Sequence, residues 1–98
     1  VSIHDRIGDN NMEIDTKSIL KDFQEELNDS DKYYELGSKM RADVAFNKKA
    51  KGFFEMSKDE FIHARWLRDI LIMHSVEIPT ADNERYEMIK ERTYRLFL

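Results

Sequence analysis

The chain has 98 residues, a formal charge of −4, and no cysteine. Its length suits one small domain, and its mild negative charge argues against a general nucleic-acid binder and offers no basic stripe to a membrane. The lack of cysteine excludes disulfides, iron–sulfur clusters, thiolate zinc sites and cysteine nucleophiles, so any metal must be held by carboxylates and imidazoles.

In chain order, Val1 to Ile14 shows no clear hydrophobic period and contains Gly8, Asp9, Asn10 and Asn11. It is expected to be a flexible arm, with His4 and Asp5 as tail residues facing solvent. A long helix is expected over residues 16–41, capped by Asp15 or Thr16. Its stripe runs Ile19, Phe23, Glu26, Ser30, Tyr33, Gly37 and Met40, widened by Leu20, Leu27 and Tyr34. Glu26 is the exception, a carboxylate where the period asks for a core residue. Such a charge must reach an end, reach solvent or meet a cation.

Arg41-Ala42-Asp43-Val44 reads as the turn, with Asp43 a candidate cap for a second helix that is expected over 44–76, ends at Ser75 or Val76 and is closed by Pro79. Its stripe is Phe46, Ala50, Phe53, Ser57, Glu60, Ala64, Leu67, Leu71 and His74. Glu60 again falls mid-seam, with His63 one turn on, a Glu-x-x-His step of two ligand-type side chains. Gly52 weakens this helix by ~1 kcal/mol relative to Ala and is the alternative break point. Thr80 and Asp82 both offer starts for a third helix, expected over 82–97, with Tyr86, Ile89, Thr93, Leu96 and Phe97 on its apolar side. Its packing, on its own hairpin or on a neighbour, is left open. The fold class is thus all-α, a long antiparallel hairpin plus a shorter C-terminal helix in one domain, 15–98. No apolar run is long enough to span a bilayer and no signal-peptide pattern opens the chain, so a cytoplasmic setting is expected.

Height along the hairpin decides between the two break points. With the turn near Ala42, a rise of 1.5 Å per residue puts Glu26 ~24 Å below it on one arm and Glu60 ~27 Å below it on the other. With the turn at Gly52 the figures become ~39 Å and ~12 Å, and contact is impossible. The first hairpin therefore sets Glu26 level with Glu60 and His63. Three ligands make an incomplete cage, and a hairpin with an open apolar face is incomplete as well. Pairing of two chains about a two-fold axis into a four-helix bundle completes both. Four carboxylates then balance two divalent ions, and mixed oxygen and nitrogen ligands suit iron or manganese better than calcium or a structural zinc.

The run Glu26…Tyr33…Phe53…Glu60-Phe61-Ile62-His63-Ala64 resembles half of a ferritin-like di-iron protein, close to the first helix pair of rubrerythrins. In its brevity the chain is similar to the encapsulated ferritins, helical hairpins that build the iron site between two subunits. The resemblance covers roughly residues 19–71. It implies Glu26, Glu60 and His63 as iron ligands and as the catalytic set, Glu60 as the bridge between metals, and Tyr33 as a residue hydrogen-bonded to a ligand. It further implies two irons per dimer with manganese as the alternative, a homodimer at minimum with larger rings or shells and an encapsulating shell protein as further partners, and ferroxidase activity in iron storage or detoxification. The chain departs from rubrerythrins in carrying neither a second half nor a cysteine-ligated domain, and it ends Tyr94-Arg95-Leu96-Phe97-Leu98 without an evident shell-targeting tail. The alternatives are rubrerythrin-like peroxide reduction at the same site, and a non-enzymatic oligomerisation module whose seam glutamates pair with Arg41, Arg65 or Lys49. His74 stands too far along the helix to join the site; Glu84, Glu87 and Glu91 read as a solvated face, Trp66 as an interface or packing aromatic, and Tyr33 and Tyr34 equally as core residues.

Overall fold

A computed structural model describes residues 15–97; the arm expected over 1–14 lies outside the described residues. Three α-helices follow one another: α1 (Thr16–Ala42), α2 (Ala50–Met73) and α3 (Thr80–Phe97), with a 3₁₀ turn at Asn47–Lys49 between the first two. The described residues form an elongated body of 56 × 28 × 21 Å. Among the described residues the all-helical expectation holds.

Asp15 starts α1 by accepting from the Ser18 backbone N–H at 3.1 Å and from the Ser18 hydroxyl at 2.8 Å, which satisfies a helix-end donor that has no partner inside the helix. Lys39 and Arg41 in its last turn complement the negative end of the helix dipole. The expected start of the second helix at Val44 is corrected. Asp43 does act at this point, but as a turn residue: its Oδ1 accepts from the Ala45 N–H at 2.8 Å and its carbonyl from the Phe46 N–H at 3.0 Å. That local bonding competes with helix, and α2 begins only at Ala50.

At the other end, α2 stops at Met73, short of the expected Ser75 or Val76, because Ser75 adopts φ 57°. Val76 N–H then bonds back to the Leu71 carbonyl and Ser75 N–H to that of Ile72, each at 2.9 Å. This is a Schellman closure built on serine where glycine is the usual occupant. Pro79 offers its carbonyl to Asp82 and Asn83 at 3.0 and 3.1 Å, and α3 begins at Thr80, the earlier of the two expected starts.

α1 and α2 run antiparallel on a seam of small residues. Gly37 lies against Ala50 and Phe54; an added Cβ there would stand 2.9 Å from Phe54 Cε1 and 3.3 Å from the Ala50 carbonyl oxygen. Seven residues back on α1 and seven on along α2, Ser30 and Ser57 are buried and each donates its hydroxyl to the other's carbonyl, at 2.9 and 2.7 Å. One turn further, Glu26 meets Glu60.

α3 folds back on its own hairpin. Tyr86 and Ile89 are buried in a core with Phe23, Leu27, Phe61, Ala64 and Leu71; the Tyr86 ring sits 5.4 Å from that of Phe61 and 6.0 Å from that of Phe23. Polar ties align the helix: Gln24 Nε2 donates to Asp82 Oδ2 at 2.8 Å and Arg92 Nη1 to Asp31 Oδ1 at 2.9 Å. This packing rotates the buried stripe of α2. Phe54 and Phe61 are buried, whereas Phe53 and Glu60, expected mid-seam, are only half-buried. Phe46 and His74, at the ends of the expected stripe, are exposed.

Candidate metal centre

Glu26 of α1 lies about 160° around its helix from both Gln24 and Asn28, the residues that face α3. Glu60 and His63 occupy the matching side of α2, so all three stand where the third helix leaves the hairpin uncovered. One ligand atom from each lies within 4.8 Å of the other two, and among the described residues this is the one group of three that could hold a metal ion. His63 Nδ1 is 3.6 Å from Glu26 Oε2 and 3.4 Å from Glu60 Oε1. Ligands held ~2.1 Å from one ion stand about 3 Å apart when adjacent. Small side-chain adjustments would close the set around an ion.

The electrostatics of the three are unbalanced without one. Glu26 is 25 % exposed, Glu60 22 % and His63 47 %. Burial first, and then the Glu60 carboxyl, which hydrogen-bonds the protonated form and repels the charged one, push Glu26 up to about 7. His63 opposes the rise. Glu26 Oε2 is buried with no hydrogen-bond donor. An orphaned acceptor beside a second carboxylate and an imidazole is a donor set that a divalent cation satisfies, so the residues fit a metal.

None of Arg41, Lys49 or Arg65, the cations that an oligomerisation module would turn toward these glutamates, forms an ion pair with either of them among the described residues. Arg41 lies over the Phe54 ring, 4.8 Å from its centre, and Lys49 over that of Phe46. Tyr33 is half-buried and packs on Phe53 with ring centres 6.3 Å apart. It stands on the turn side of the carboxylates and makes no hydrogen bond to Glu26, Glu60 or His63 among the described residues. Glu84, Glu87 and Glu91 are exposed, and His74 is exposed at the end of α2. Trp66 is exposed and its ring lies tilted beside that of His63, ring centres 5.7 Å apart and planes at 40°. The Glu-x-x-His spacing itself places an aromatic three residues beyond the histidine on a neighbouring part of the helix surface, so this pairing was open to inference from sequence.

No protein-family model matches the chain, and neither the curated proteins nor the solved structures hold a significant match.

Proposed function

We propose that the protein binds ferrous iron at Glu26, Glu60 and His63 and oxidises it with dioxygen or peroxide, as a ferroxidase in iron storage or detoxification. Iron is the substrate, and each ferrous ion gives up one electron to the oxidant. The observation that carries this reading is the buried, donor-less Glu26 Oε2 set against a second carboxylate and an imidazole within 4.8 Å. The chain's own part is to bind and to manage protons. Glu26 holds a proton near neutrality and must release it as a cation enters, Glu60 supplies the second negative charge, and His63 Nδ1 faces both carboxylates.

Three ligands leave an iron ion under-coordinated, and the half-exposed His63 opens the site toward a partner. A second copy placed about a two-fold axis supplies the missing half: four carboxylates and two imidazoles around two ions, in a four-helix bundle made of two hairpins. Manganese suits the same donors. The test is addition of ferrous iron in air, followed by the ferric absorbance and by the mass of the assembly. The parent protein oxidises iron faster than buffer does and dimerises on loading, whereas Glu60→Ala and His63→Ala proteins do neither. Equal rates in parent and variants would remove the proposal. Sustained consumption of peroxide with an added reductant would instead assign peroxide reduction at the same residues.

A further inference from the structure

The turn end of the hairpin sets its charges against the helix that it starts. Residues 39–51 hold five cations (Lys39, Arg41, Lys48, Lys49, Lys51) and one carboxylate (Asp43), a local charge of +4 in a chain of −4, so the remaining residues sum to −8. Lys39 and Arg41 are explained by the end of α1, where cations are favourable. Lys48, Lys49 and Lys51 are not. They crowd the start of α2, the positive end of its dipole, which has no side-chain cap and no acidic residue in its first turn. Cations there oppose helix stability.

Two large apolar side chains project from the same end: Val44 is 90 % exposed and Phe46 48 %. Their exposure does not come from a loose loop. Asp43 binds the N–H groups of Ala45 and Phe46, and the Phe46 carbonyl binds that of Lys49 at 2.9 Å. The turn is a preformed convex tip at one end of a 56 Å body. On its flank lies an open hollow of about 410 Å³, where Arg41, Asn47 and Lys51 surround an apolar floor of Phe54 and Phe97.

We propose that this tip, a local basic cluster that the expectation drawn from overall charge overlooked, seats on an anionic lipid surface, with Val44 and Phe46 entering below the headgroups while Lys39, Arg41, Lys48, Lys49 and Lys51 meet the phosphates. A convex apolar point ringed by cations fits a deformable anionic layer, and the rest of the chain, at −8, is repelled from it, which orients the hairpin end-on. Headgroup phosphates also offset the misplaced cations at the start of α2. The contact is peripheral, since no helix among the described residues is long and apolar enough to cross a membrane. The inference is independent of the metal centre, which lies on a different part of the hairpin.

Flotation of the metal-free full chain with phosphatidylcholine vesicles, with and without phosphatidylserine, tests it. Binding is expected to the anionic vesicles and at least about tenfold weaker to the neutral ones. Val44→Ser/Phe46→Ser and Lys48→Glu/Lys49→Glu proteins, checked for unchanged helix content by circular dichroism, each bind about tenfold more weakly or worse. Met88→Ser, an exposed apolar change on α3, leaves binding unaltered. Equal binding to both vesicle types would overturn the inference, as would wild-type binding by the Val44→Ser/Phe46→Ser protein. The latter result, together with displacement by polyglutamate, would assign the tip to an acidic protein instead.

Discussion

Replacing Glu26 by glutamine separates the electrostatic strain at the centre from its packing, because the two side chains share a shape and only one ionises. The Glu26 pKa is raised from its ordinary 4.5 to about 7, by burial first and then by Glu60. The folded protein therefore holds a proton that the unfolded chain has already released between these values. The stability tied to the protonated form is complete below about 4.5 and is lost as pH rises toward about 7. In full, the shift is worth about 3 kcal/mol; a side chain still one quarter exposed is screened by water, which leaves about 1 to 2 kcal/mol. Urea unfolding of the metal-free Glu26→Gln protein should show about 1 to 2 kcal/mol more stability than the parent at pH 8, with the gap closing by pH 5. Added manganese or anaerobic ferrous iron should reverse the order at pH 8 by stabilising the parent alone, since a cation replaces the proton that glutamine cannot lose. Apparent metal affinity of the parent should fall by up to about tenfold per pH unit below about 7, one proton being displaced for each ion bound. The reasoning fails if metal-free Glu26→Gln is less stable than the parent at pH 8. That result would mean the Glu26 charge is already satisfied.

Three backbone positions give further expectations. Gly37→Ala should destabilise by about 1 kcal/mol net in thermal unfolding: relieving a 2.9 Å clash with Phe54 costs about 1–3 kcal/mol against ~1 kcal/mol gained from helix propensity. The Phe54 ring cannot swing aside freely, held between Tyr34 and the Arg41 guanidinium. Gly52→Ala, where nothing lies within 4 Å, should instead stabilise by about 0.5–1 kcal/mol. Ser75→Gly should raise stability by about 0.5–1 kcal/mol in the same assay, as it removes the Cβ penalty at φ 57° while keeping the Schellman hydrogen bonds. A loss at Ser75→Gly would mean that the serine side chain makes a compensating contact.

The hairpin and the meeting of Glu26, Glu60 and His63 were legible in the sequence because both follow from arithmetic along straight helices. The short turn does not disturb it: Gly37 against Ala50, Ser30 against Ser57 and Glu26 against Glu60 keep one register from the turn to the site. What one helix pair cannot reveal is rotation about its own axis. Whether Phe53 or Phe54, Glu60 or Phe61, faces inward depends on where a third element covers the seam, and Tyr86 and Ile89 pull Phe61 inward. That rotation leaves the glutamates at the edge of the seam, half-buried, where a cation can reach them. Asp43 was the right residue for the turn with the wrong consequence, because one aspartate can cap a helix or close a turn on itself. Ser75 carries no such signal, since glycine is the usual occupant of a left-handed closing position; Val76 and Ile78 after it pack on the core.

Unsatisfied buried groups are not all alike, and the sign of their neighbours tells them apart. Arg92 also has two buried nitrogens, Nε and Nη2, without hydrogen-bond partners. Yet its guanidinium is 2.9 Å from Asp31 and lies over the Tyr34 ring, 3.8 Å from its centre. Opposite charge and an aromatic face already compensate it, and its role is to fasten α3 to α1. Glu26 has the reverse surroundings. Its close neighbours are a second carboxylate and an imidazole, and no arginine or lysine forms an ion pair with it among the described residues. An apolar residue would serve folding better at that position, for it would remove the repulsion and keep the packing. A fold that keeps the carboxylate there, with a pKa raised to about 7, carries a cost in stability above neutral pH, and a proton or a cation from outside the chain would relieve it.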